Sequence, residues 1–236
     1  YSGTTHSGSV FVGEHAGYSV TTGNENIAIG HQPMGGGSVT GDGNIAIGAF
    51  AGNSLSSGYR NVIIGRNAAQ TMNTGIFNTI IGDNAGNDLT NGQYNVFLGL
   101  NAGDATTTGD RLTLIGTAAG RGVITDDAIG TVAIGYAALN NLSSGARNIA
   151  IGNEALDALT TADDNIAIGD SALGASSHTS AARNIAIGSY ALETLNAFGT
   201  DNIAIGFEAL ETANHADVDA NIAIGSYVLD DVATAG

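Results

Sequence analysis

The chain has no cysteine, no tryptophan and no lysine, and it has a single proline. Without cysteine there is no disulfide framework and no thiolate metal site. Its six basic residues are all arginine, set against twenty-two acids, for a formal charge of −16. So acidic a chain lacks the cationic footprint that nucleic acid or an anionic membrane surface requires. No run is long and apolar enough for a membrane helix, so no membrane insertion is expected. No charged start followed by an apolar core marks a signal peptide. The chain begins with Tyr1, which reads as a processed start or as a piece of something longer.

What is abundant is glycine, with 36 residues, and a pentapeptide that keeps returning. Asn-Ile-Ala-Ile-Gly stands at 26–30, 44–48, 148–152, 165–169, 184–188, 202–206 and 221–225. Aligned on the last glycine of each related stretch, the chain holds thirteen repeats of 17 to 19 residues. The reference glycines run from Gly13 through Gly30, Gly48 and so on to Gly225.

One and three residues before this glycine stand β-branched or aliphatic residues throughout, such as Ile27 and Ile29 or Val62 and Ile64. Alternate positions of a strand share a side, so this pair is assigned to the interior of the coil. Four before it stands asparagine in ten repeats, including Asn26, Asn61, Asn148 and Asn221. Asparagines in register can hydrogen-bond up a ladder. Each repeat then supplies one strand that pairs with the same strand of the next repeat. The expected fold is all-β, a parallel β-solenoid (β-roll or β-helix) of about 13 coils with 17–19 residues per coil. At ~4.8 Å per strand, thirteen coils would make a rod of roughly 60 Å.

Two residues before the glycine the position is also apolar. It carries Phe11, Ala28, Ala46, Ile63, Ile80, Phe97, Leu114, Ala133, Ala150, Ala167, Ala186, Ala204 and Ala223. A strand apolar on both sides is buried on both sides. With the flanking pair assigned inward, this middle column becomes the expected interface of a parallel homotrimer.

The repeats change partway along. Four after the glycine, the early ones mostly carry glycine (Gly17, Gly52, Gly86, Gly103, Gly120). The last six carry leucine (Leu139, Leu156, Leu173, Leu192, Leu210, Leu229). Residues 1–118 hold seven acids and three arginines, and residues 119–236 hold fifteen acids and three arginines, so −4 stands against −12. The expected organisation is one continuous repeat domain, with glycine-rich coils over 1–122 and acidic, leucine-containing coils over 123–236. A fatter second layer is expected in the latter.

The motif Asn-[Ile/Val]-Ala-Ile-Gly-x-x-Ala resembles the head repeats of trimeric autotransporter adhesins and the related repeats of phage tail and other virion fibres. The resemblance spans residues 9–229. It implies three chains packed along a common axis, an extracellular or virion-surface location, and attachment rather than a reaction. The coil is longer than in the adhesin heads and no heptad stalk accompanies it, which favours a virion fibre. The reading is a rigid rod that presents loops to a cell surface or glycan. Two alternatives stand beside it: an extracellular filament polymerising head to tail through uncapped ends, and an enzyme on a trimeric β-helix.

Candidates for chemistry are few. Tyr59, Phe77 and Tyr94 fall at nearly the same place in successive coils, where rings could grip a glycan or pack on one another. Tyr136, Tyr190, Phe207 and Tyr227 follow the glycine by one or two places. The pairs Asp126-Asp127, Asp163-Asp164 and Asp230-Asp231 could help to hold calcium, or simply keep rods soluble and apart. The histidines His6, His15, His31, His178 and His215 are scattered and sit beside no obvious base. No column is rich in threonine, as a flat ice-binding array would be. No catalytic set, cofactor site or metal site is expected.

Overall fold

The computed structural model describes residues 7–175, 181–195, 199–213 and 219–229. It is a parallel β-solenoid. The chain divides into two compact units, Tyr1–Ile115 and Gly116–Gly236. The division falls a few residues before the compositional boundary read at 122/123. Unit 1 contains strands β1 (Val10–Val12), β2 (Ile27–Ile29), β3 (Ile45–Ile47), β4 (Val62–Ile64), β5 (Thr79–Ile81), β6 (Val96–Leu98) and β7 (Thr113–Ile115). Unit 2 contains β8 (Val132–Ile134), β9 (Ile149–Ile151), β10 (Ile166–Ile168), β11 (Ile185–Ile187), β12 (Thr194–Leu195), β13 (Ile203–Ile205), β14 (Thr212–Ala213) and β15 (Ile222–Ile224). A short 3₁₀ turn at Asp126–Ala128 precedes β8. Within each unit the three-residue strands pair in parallel with the same strand of the next coil, motif residue on motif residue. Ala28 thus faces Ala46, and Ala150 faces Ala167. β12 and β14 form a separate parallel pair on another side of the coil.

The corners follow from backbone geometry. The motif glycine adopts φ between +123° at Gly13 and +146° at Gly82, a region closed to residues with a Cβ. A methyl on Gly65 would also lie 2.1 Å from the carbonyl oxygen of Gly82 in the next coil. Both facts explain why this column never varies. Two and four residues further on, the chain again turns left-handed, as at Glu154 (φ 53°) and Leu156 (φ 52°). The residue before the asparagine column does so too, as at Arg147 (φ 56°). A non-glycine residue held this way costs about 1–2 kcal/mol. What offsets the cost is regularity: every corner stacks on the same corner of the neighbouring coil. Ala137 and Glu154 occupy equivalent corners, and Glu154 N–H donates to the carbonyl of Tyr136, the residue before Ala137, at 2.8 Å.

The expected asparagine ladder forms. Asn26 Oδ1 accepts from Asn44 N–H at 2.8 Å and from Asn44 Nδ2 at 3.1 Å. Asn44 Oδ1 does the same for Asn61, and Asn61 Oδ1 for Asn78. Each Nδ2 also donates to a corner carbonyl, as Asn61 does to Gly75 at 2.8 Å. These side chains are almost fully buried, so the ladder satisfies polar groups that would otherwise be costly to bury. It breaks where the motif does. In unit 1 it ends on Leu112, whose backbone N–H donates to Asn95 Oδ1 at 2.8 Å. In unit 2 it restarts at Thr131 with longer bonds of 3.3 and 3.4 Å.

Strand orientation is the main correction to the sequence reading. The middle column points into its own coil, not toward another subunit. Ala28, Ala46, Ile63, Ile80, Phe97, Leu114, Ala133, Ala150, Ala167, Ala186, Ala204 and Ala223 are all 0% exposed within the single chain, and Phe11 is half-buried. The reason is parity. The buried asparagine lies two residues before the middle position, on the same side of the strand. The ladder therefore takes the middle column inward with it. The flanking β-branched pair is left on the outside.

Candidate interaction face

The outer face carries two columns, one from each end of every strand. Both are aliphatic throughout except at Thr79 and Thr113. None of these side chains is buried: Ile168 is 37% exposed and Ile222 is 65% exposed. Within each unit the face is a continuous apolar stripe, with β-branched side chains repeating at the strand spacing. On a chain of charge −16 it stands out, because no charged side chain enters either column. Contiguous apolar patches of this kind are rare on monomeric soluble proteins, so this face is the candidate interaction surface. The residues that sequence reasoning missed as surface are therefore the flanking pair, Ile27 and Ile29 through Ile222 and Ile224. The signal that could have found them was the threonine allowed at 79 and 113, and the asparagine two places from the middle column.

The rings of Tyr59, Phe77 and Tyr94 lie together on the surface. Tyr59 meets Phe77 edge to face, with ring centroids 5.4 Å apart. Phe77 and Tyr94 stack at 5.4 Å with planes 6° apart. Arg60 places its guanidinium 5.6 Å from the centre of the Phe77 ring. In unit 2, Tyr190, Phe207 and Tyr227 form a second run of edge-to-face contacts. Ring-on-ring packing across coils thus occurs in both units, and Tyr94 remains 51% exposed.

The acidic pairs resolve differently. Asp164 receives Arg147 at 2.6 and 2.8 Å, and Asp163 lies 3.4 Å from the same guanidinium. These hydrogen bonds hold the Asp164 carboxyl below the usual range. Arg183 holds Asp201 in the same way. Asp127 is exposed, and Asp230-Asp231 lie outside the described residues. Elsewhere in unit 2, burial and then Glu154 push the Asp157 carboxyl up. Burial and then Glu211 do the same to Glu193. Among the described residues no three His, Asp or Glu side chains gather as metal ligands would. His15 packs edge to face on Tyr18, and His31 packs on Phe50 and lies 3.6 Å from Glu14. His6, His178 and His215 lie outside the described residues.

No family model matches the chain, and neither a curated protein nor a solved structure matches it.

Proposed function

We propose that the protein is a structural and adhesive fibre module, a homotrimer joined through the outer isoleucine and valine columns. The observation that carries this reading is the apolar face itself. Burial of side chains such as Ile168 and Ile187 between copies would remove a regular apolar surface from water. Identical coils on each copy would offer identical surfaces, which suits a symmetric assembly. The corner loops remain outside such a contact and are free to present side chains to a cell surface or glycan. Weak loop contacts repeated on three copies would reinforce one another. The reading assigns no reaction and no cofactor to the chain. With the repeat resemblance, it places the module outside the cell or on a virion.

Light scattering on the purified chain tests it. The expected particle is near three times 23.4 kDa. Ile168→Asp with Ile187→Asp should lower the particle mass to that of a single chain while the β circular-dichroism signal persists, because both side chains face outward. A wild-type monomer would overturn the proposal.

A further inference from the structure

The residue before the asparagine column is left-handed in every coil and sends its side chain outward. In unit 2 this column reads Arg147, Asp164, Arg183, Asp201, and each arginine is paired with the aspartate one coil on, at 2.6 and 2.7 Å. In unit 1 the same column reads Gly8, Glu25, Gly43, Arg60, Phe77, Tyr94 and Arg111, the last four at φ between 55° and 59°. One coil beyond Arg60, where its partner carboxylate would stand, lies the Phe77 ring, and Tyr94 follows it. Both arginines are exposed, and among the described residues neither forms an ion pair. Backbone bonds fix the spacing: Arg60 N–H donates to the Asp42 carbonyl at 2.9 Å, and Arg111 N–H to the Gln93 carbonyl at 2.9 Å. Three coil steps separate the two arginines, about 14 Å at the parallel-strand spacing.

Beside Arg60 opens a cavity of about 580 Å³, lined among others by Glu25, Asp42, Ser57, Tyr59 and Phe77. Asp42 uses one carboxylate oxygen to accept from Asn24 N–H at 2.7 Å. The Ser57 hydroxyl and the Glu25 carboxylate stand open to solvent. Polar groups interleaved with ring edges, in a shallow open cavity, suit a hydroxyl-rich ligand.

We infer that the column Arg60–Phe77–Tyr94–Arg111, with the cavity beside Arg60, is a binding site for a short acidic saccharide. This rests on the attachment reading above and names its ligand class. Guanidinium groups recognise carboxylate or sulfate through paired hydrogen bonds. The rings between them supply apolar edges for sugar C–H groups, and Asp42 and Ser57 receive a neutral ring through its hydroxyls.

The test is calorimetric titration of the full chain with an oligogalacturonate, a sulfated galactan oligosaccharide and a neutral galactan of the same length. One or both acidic probes should bind, more weakly as salt rises, and the neutral probe should bind least. Arg60→Gln and Arg111→Gln should each weaken binding by roughly fivefold. Arg66→Gln, whose guanidinium already holds Asp83 at 2.8 Å, should leave it unchanged. Equal binding of the neutral probe, no binding at all, or an equal loss with Arg66→Gln would overturn the site. Particle mass recorded on the same samples separates these failures from failure of the trimer, which is read from mass alone.

Discussion

The two units share a backbone and differ in how they fill it. In unit 1 the middle column is large at Phe11, Ile63, Ile80, Phe97 and Leu114, and the position four after the glycine is small. In unit 2 the middle column is alanine, and that later position is leucine in every coil after Gly120. The structure shows that the two positions meet inside the coil. A methyl on Gly86 would come within 2.9 Å of the Phe97 ring, and one on Gly103 within 2.9 Å of Phe97 and 3.0 Å of Leu114. Gly52 follows a small Ala46, yet its added methyl would touch Ile63 of the next coil at 2.9 Å. A large residue therefore fits only where its own middle residue and the next one are both alanine. Met34, between Ala28 and Ala46, is the unit 1 example. In unit 2 the buried leucines stand beside alanines of the middle column, where unit 1 sets glycines beside large middle residues. The bulk thus sits on opposite walls of the coil in the two units, as a close-packed interior requires.

Breaking that exchange should have the largest effect. Leu156→Ala removes buried bulk and should cost about 2–5 kcal/mol, read by denaturant unfolding. Gly86→Ala adds one methyl against Phe97 and should cost about 1–3 kcal/mol. Ala150→Ile should destabilise unit 2 through collision with Leu139 and Leu156. Adding Leu139→Gly and Leu156→Gly should recover part of the loss. If that triple variant is no more stable than Ala150→Ile alone, the exchange is not what couples the columns.

The ladder offers a sharper contrast. Asn61→Ala should cost about 1–3 kcal/mol, because Asn44 Oδ1 and the Gly75 carbonyl lose donors in a buried site. Thr131→Asn should do the reverse in unit 2 and gain about 0.5–1.5 kcal/mol. Its amide can reach the groups that the threonine hydroxyl now meets at 3.3 and 3.4 Å. Melting temperatures of the two variants should move in opposite directions.

Thr106 is a local fault in unit 1. It stands where neighbouring coils carry Leu55, Met72 and Leu89, is fully buried, and its hydroxyl has no partner. Thr106→Val should raise stability by about 1 kcal/mol; a fall in melting temperature would show that the hydroxyl serves a purpose.

The smallest effect expected is electrostatic and belongs to unit 2. Asp157 and Glu193 have raised folded-state pKa values, so their ionised forms disfavour the fold at neutral pH. That penalty is relieved as pH falls through the raised values. Asp164 and Asp201 are depressed, so their contribution is present above the ordinary carboxylate range and is lost as pH falls through the folded values. Asp157→Asn should accordingly raise the melting temperature at pH 7, with the gain shrinking toward pH 4. An equal gain at both pH values would sink the electrostatic account.

The repeat by itself determines much of the fold. Spacing of 17 to 19 residues, β-branched alternation and a glycine in every coil specify a parallel solenoid, because like coils can satisfy one another only in register. The asparagine ladder was legible for the same reason. The sequence also held the exchange between Phe97 and Gly103, or Ala150 and Leu156, but not its cause, since the two positions meet only once the corner has turned. Which side of the strand faces inward is not legible, because a three-residue strand apolar at all positions gives periodicity nothing to choose between. Tertiary structure decided it. The narrow interior admits one side chain per strand beside the asparagine, so the middle residue goes in and the isoleucine pair is left facing out.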